Sequence, residues 1–82
     1  MIKHVLLNQL RRLEVELEGE GQYVRSNTVW LASMVVRGGV LFTAEGLAYV
    51  AGRLVVLEAR MMLEDHASLP VIRRAINCIA KG

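Results

Sequence analysis

Apolar residues recur at helical spacing from the start of the chain. Four leucines follow Ile2 at steps of four, four, three and four residues, a repeat close to the 3.6-residue period of an α-helix: Leu6, Leu10, Leu13 and Leu17. This pattern predicts an amphipathic helix from Ile2 to Glu18, ended by Gly19 and Gly21. Residues 13–18 also alternate with period two, as a strand would. The longer helical repeat favours the helix, and a strand is the alternative.

A second helix is predicted from the caps Ser26 and Asn27, through Trp30, to Arg37. Two consecutive glycines, at positions 38 and 39, stop it. Residues 35–42 have an alternative interpretation, because a Gly-Gly pair between apolar runs is typical of a hairpin turn. We favour the helix, since an isolated hairpin would be only marginally stable.

The third predicted helix begins after the N-cap Thr43 and extends to about Asp65. Its polar residues fall on one narrow stripe: Glu45, Tyr49, Arg53, Arg60 and Glu64. The rest of its circumference is apolar, with small residues four apart at Ala44, Ala48 and Gly52. A helix that is apolar on most sides is typical of a central helix with several neighbours.

The fourth predicted helix starts at Ser68, with Pro70 in the first turn, where the missing N–H costs nothing. Leu69, Ile72, Ile76 and Ile79 form its apolar face. The chain is therefore predicted to be all-α: one helical domain over residues 1–82, a small bundle of three to four helices with a long central third helix.

The apolar content exceeds what so short a chain can bury. Hydrophobic residues make up 54% of the 82 residues, and a domain of this size buries only about 60–65% of the surface of its unfolded chain. The surplus must face a second copy, another protein or a lipid surface. We therefore expect a homo-oligomer, and we assign the stripe of Leu6, Leu10, Leu13 and Leu17, which resembles a coiled-coil seam, to the oligomer interface.

Composition also excludes several classes of protein. The apolar content and a net charge of only +2 argue against disorder, and a lone cysteine, Cys78, excludes a disulfide scaffold. No uncharged apolar stretch is long enough to span a membrane, and the first residues do not resemble a signal peptide. A cytoplasmic location is the resulting expectation.

The residues offer little catalytic chemistry. No Ser-His-acid set or phosphate-binding glycine loop is present in the sequence, and Glu64, Asp65 and His66 sit at consecutive positions that point in different directions. We expect no enzymatic activity, no cofactor and no metal. Glu58 falls on the apolar arc of the third helix, where an unpaired carboxylate is costly. An ion pair with an arginine of another helix, or exposure at the edge of the bundle, is the simpler explanation, and a register-setting or ligand-facing acid is the alternative.

The fourth helix carries a basic face made of Arg73, Arg74, Asn77 and Lys81. Arginines in the first turns of a helix are disfavoured by its dipole, which suggests an external role. Trp30 fits either the core or an interface anchor. With Trp30 as an anchor, these residues predict a contact with an acidic protein partner. The leading hypothesis is a non-enzymatic interaction protein, a self-associating regulator, adaptor or inhibitor. One alternative is a helix-turn-helix DNA-binding regulator, and a second is a peripheral subunit of a membrane complex.

Overall fold

The computed structural model describes residues 2–38 and 42–81, and this part of the chain forms four α-helices. They are α1 (Ile2–Gly19), α2 (Tyr23–Arg37), α3 (Ala44–Leu63) and α4 (Leu69–Ala80). The all-α prediction is confirmed, and the described residues contain no strand. Residues 13–18 are helical, as are residues 35–37. The remainder of the hairpin alternative falls partly on residues 39–41, which lie outside the described residues.

Helix α2 begins three residues before the predicted cap. Gly21 has φ +76°, which turns the chain directly after α1, and the helix starts at Tyr23. Ser26 is not a cap because it lies inside α2, where its N–H donates to the Gln22 carbonyl at 2.9 Å. Its hydroxyl donates to the Glu14 carbonyl of α1, 3.3 Å away. Thr28 likewise donates to a carbonyl within its own helix, that of Val24. These hydroxyls are satisfied inside the bundle, where they cost nothing in lost hydrogen bonds.

The other helix boundaries follow the predicted signals. Gly38 ends α2 in the left-handed conformation, with φ 76°, and its N–H donates to the Met34 carbonyl. The Thr43 hydroxyl caps α3 by accepting from the N–H of Gly46, at 3.0 Å. Pro70 lies in the first turn of α4. Ser68 precedes α4 but makes no side-chain cap, and its N–H donates to Nδ1 of His66.

The core lies between all four helices. Its fully enclosed large side chains come from each of them: Leu10, Leu17, Val29, Val50, Leu54, Met61 and Ile72. The leucine stripe of α1 belongs to this core, since Leu6, Leu10, Leu13 and Leu17 are each at most 2% exposed. Its assignment to an oligomer interface is therefore corrected. The amphipathic repeat is satisfied within one chain, against α2 and α4.

Helix α3 is the longest of the described helices, with 20 residues. Helices α2 and α4 each pack against all of the other helices, whereas no Cα atom in the described residues of α3 comes within 8 Å of one in α1. The predicted central position of α3 is therefore not confirmed. The bundle itself is tightly packed, because its Cα radius of gyration of 11.7 Å equals the roughly 12 Å expected for a compact domain of this length.

None of the helices in the described ranges combines the length and the apolar character needed to cross a membrane.

Candidate protein-contact surface on helix α3

Helix α3 buries only a narrow stripe against the rest of the bundle. The stripe consists of Val50, Leu54, Leu57 and Met61. At 100° per residue these four positions span about 60° of the helix circumference. Half-buried residues flank this stripe, and the exposed positions on the opposite side span about 160°. Helix α3 therefore presents nearly half of its circumference to the outside.

The side of α3 opposite the buried stripe is exposed and mainly apolar. It is centred on Gly52, and every residue within about 80° of that position is exposed. We call this set the outer face of α3: Ala44, Glu45, Ala48, Tyr49, Gly52, Val55, Val56, Ala59, Arg60, Met62 and Leu63. Two charged residues, Glu45 and Arg60, interrupt it. The compact bundle shows that this exposure does not result from loose packing.

The exposed fractions on the outer face are large for branched and long apolar side chains. Val55 and Val56 are 52% and 56% exposed, and Met62 and Leu63 are 54% and 90% exposed. Scattered apolar residues are normal on a protein surface, but a contiguous patch on one helix marks an interaction site. Small residues line its centre, and a Cβ added at Gly52 would meet nothing within 4 Å. Another helix can therefore approach this backbone closely.

A groove between α2 and α3 borders the outer face. It encloses about 670 Å³ and is lined by Val24 and Thr28 of α2 and by Gly52, Val56 and Leu57 of α3, among others. Arg25, Arg53 and Arg60 also line it. The floor of the groove is apolar, and two of its three guanidinium groups have partners within the chain.

Two of these arginines are held in place by other groups. Arg53 donates to the Val24 carbonyl across the groove, at 3.1 Å, and to the Tyr49 hydroxyl one turn earlier, at 3.0 Å. Its guanidinium also lies 5.7 Å from the centre of the Tyr49 ring, within range of a cation–π contact. These bonds join the start of α2 to the middle of α3 and fix the shape of the groove.

Arg25, which lines the groove, forms a bidentate ion pair with Glu64. Nη1 donates to Oε1 at 2.8 Å and Nη2 donates to Oε2. The hydrogen bonds from Arg25, helped by its charge, hold the pKa of Glu64 below its usual value, although removal of water opposes this. The same hydrogen bonds raise the pKa of Arg25. The pair therefore stays ionised at neutral pH and ties α2 to the end of α3.

The predicted basic face of α4 has structural partners that the sequence did not reveal. Arg73 donates from Nε to Oε2 of Glu58 at 3.0 Å. Arg74 donates from Nη1 to the Gln9 side-chain oxygen of α1 at 2.9 Å. The expected interhelical ion pair of Glu58 is thus confirmed. The premise that these arginines lack a structural reason is corrected, because each one joins α4 to a neighbouring helix.

Trp30 lies on a different surface from the basic face of α4. It is 45% exposed and lines a shallow depression with Glu14 and Glu18 of α1 and Tyr23 of α2. Asn77 and Lys81 lie with the basic residues, on α4 and at its C-terminal end. The structure therefore does not bring together the five predicted partner-binding residues. It separates a basic edge on α4 from an aromatic and acidic edge on α1 and α2.

The titratable residues at the end of α3 have structural roles. Glu64 pairs with Arg25, and His66 accepts a hydrogen bond at the start of α4. Asp65 occupies the left-handed conformation with φ 52° and turns the chain between the two helices. Within residues 2–38 and 42–81, no group of three or more His, Cys, Asp or Glu side chains is arranged to hold a metal ion.

Comparison with known protein families, characterised proteins and solved structures gives no significant match. The geometry of the chain itself is therefore the basis for assigning its function.

The exposure of the outer face of α3 was not predicted from the sequence. The chain has an apolar surplus, and its third helix is apolar on most sides. These two features were interpreted as burial of that helix at the centre of the bundle. The same features fit a peripheral helix whose apolar side is covered by another chain.

Proposed function

We propose that this chain is a non-enzymatic interaction protein that self-associates through the outer face of α3. The observation that carries the proposal is the contiguous exposed apolar surface centred on Gly52, on a helix that belongs to a compact bundle. Removing such a surface from water is the main favourable term in protein association. The small size of the chain supports the proposal, since it cannot bury its full apolar complement alone.

The character of the patch favours a protein partner. The small residues at its centre permit close helix contact, and the flanking valines and leucine supply apolar area. The charged residues Glu45 and Arg60 lie toward its two ends, as at the polar rim of a protein interface. We further propose that a dimer is the functional unit, and that any regulatory or adaptor role is exerted by that dimer.

The proposal is tested by placing a charged side chain at the centre of the patch. Gly52→Arg should leave the fold intact, because the site has open space and arginine favours the helix more than glycine does. It should abolish self-association, because two arginines would be forced together in the contact. Light scattering after size exclusion gives the mass, and circular dichroism gives the helix content.

The matched control is Val15→Arg, which places the same side chain on an exposed position of α1, 63% exposed in the wild type. The control should associate as the wild type does. If Gly52→Arg is folded and associates like the control, the outer face of α3 is not the contact and the proposal is wrong.

A further inference from the structure

The outer face of α3 carries its two charges in a self-complementary arrangement. Glu45 lies one residue into α3 and Arg60 lies three residues before its end. They are separated by about 22 Å along the helix axis, at 1.5 Å per residue. The midpoint between them falls between positions 52 and 53, beside Gly52 at the centre of the apolar patch. The charges are thus of opposite sign and nearly equidistant from the residue that permits closest approach.

This arrangement distinguishes the ways in which two copies of α3 can pair. In a parallel pair, Glu45 would lie near the other Glu45, and the two Arg60 side chains would point to opposite sides of the contact, so neither residue would meet an opposite charge. In an antiparallel pair related by a two-fold axis beside Gly52, each Glu45 faces the Arg60 of the other copy. Such an interface uses the same patch twice, as two-fold dimers do.

The angular positions of the two charges agree with the antiparallel pairing. Both lie on the same side of Gly52 around the helix, at about 20° for Glu45 and about 80° for Arg60. A two-fold axis perpendicular to the plane of the two helices leaves each residue on the same lateral side of the contact. Glu45 of one copy and Arg60 of the other therefore lie on the same side and meet. Tyr49 and Val56, which are equidistant from the same midpoint, also become neighbours across the contact.

We infer that the occupant of the outer face is a second copy of this chain, with the two α3 helices antiparallel and joined at each end by a Glu45–Arg60 ion pair. This inference rests on the proposed self-association and specifies its geometry. The antiparallel arrangement also places the partly positive N-terminus of each α3 beside the partly negative C-terminus of the other, which is favourable. Glu45 and Arg60 are both exposed in the single chain, so they are accessible to the second copy.

The inference is tested by two single charge reversals. Glu45→Arg places arginine opposite arginine at both ends of the dimer, and Arg60→Glu places glutamate opposite glutamate. Each reversal replaces two attractive contacts in the dimer by two repulsive ones, and single ion pairs at an exposed rim are individually weak. Each reversal should therefore raise the dimer dissociation constant about tenfold.

Mixing the two variants provides the decisive arm of the test. In a mixed dimer, the arginine introduced at position 45 of one chain meets the glutamate introduced at position 60 of the other. The native Glu45 and the native Arg60 meet at the opposite end, so both contacts are again attractive. The 1:1 mixture should therefore associate with about the affinity of the wild type, and so should the double variant Glu45→Arg/Arg60→Glu. Fluorescence energy transfer between separately labelled variants measures this, with circular dichroism as the check that each variant is folded.

The outcomes separate this inference from the proposed function. If the single variants are folded and associate as tightly as the wild type while Gly52→Arg is monomeric, the contact is correct and the antiparallel pairing is wrong. If the mixture and the double variant fail to recover, the pairing is also wrong. If the wild type itself is monomeric at all concentrations, the proposed function fails together with the pairing.

Discussion

Single residues on α3 show how the helix divides its surface between core and exterior. Leu54 is fully enclosed, whereas its neighbour Val55 is half exposed. The helical period turns adjacent positions by about 100°, so chemically similar residues have opposite environments. Burial of Leu54 was predictable from the spacing of apolar residues. Exposure of Val55 was not, because its environment depends on which helices surround α3.

Leu54→Ala should lower the free energy of unfolding by about 2–5 kcal/mol, because it leaves a cavity among the core side chains of a small domain. Urea denaturation followed by circular dichroism measures the loss. Val5→Ala is the control, since Val5 is 52% exposed on α1 and its truncation should change stability by less than about 0.5 kcal/mol. Equal urea midpoints for the two variants would show that Leu54 does not lie in the core.

Interhelical polar contacts connect elements that the hydrophobic pattern treats separately. Arg25 joins α2 to the end of α3 through Glu64, and Arg73 joins α4 to α3 through Glu58. The sequence indicated that Glu58 needs an arginine partner. It did not indicate the Arg25–Glu64 pair, which spans 39 positions and depends on the packing of α2 beside α3.

The Arg25–Glu64 pair predicts a specific dependence of stability on pH. The pKa of Glu64 is lowered in the folded chain, first by hydrogen bonds from Arg25. The folded state therefore holds the Glu64 proton less tightly than the unfolded state does. The contribution of the pair is present above the ordinary glutamate pKa of about 4.3. It is lost as the pH falls through the lower folded value.

The variant Glu64→Gln lacks this contribution, so it should be less stable than the wild type at neutral pH. In acid the wild type loses the contribution too, so the two stabilities should converge. The difference in urea midpoint between wild type and Glu64→Gln should be positive at pH 7 and shrink on acidification to pH 3. The difference should be small, because the pair is partly exposed to solvent. Glu16→Gln, at an exposed position of α1, is the control. A difference that stays constant from pH 7 to pH 3 would contradict the role given to the pair.

Much of the element pattern was predictable, and the failures have identifiable physical causes. Thr43, Gly38 and Pro70 mark helix boundaries because their local chemistry suits only those positions. Ser26 failed as a cap because α2 starts three residues earlier, at Tyr23. The basic face of α4 failed as an isolated surface because its arginines contact groups on α1 and α3 that are distant in sequence.

The way the four helices pack determines where the apolar surplus of the chain is exposed. The leucine stripe of α1 is buried in the core of the bundle. The described residues of α3 pack against only two of the three other helices. Much of the surplus therefore lies exposed on α3, and the rest is exposed on α1 and α2. Sequence analysis predicted that a surplus exists and that it implies association. It could not place the surplus, since that depends on the order in which four similar helices pack.

Sedimentation equilibrium of the unmodified chain tests self-association most directly. Over a range from about 1 to 100 μM, the apparent mass should rise from 9.1 kDa toward twice that value and then remain constant, because a two-fold contact closes on itself. A mass that stays at 9.1 kDa throughout that range would contradict the account, and the outer face of α3 would then lack the partner assigned to it.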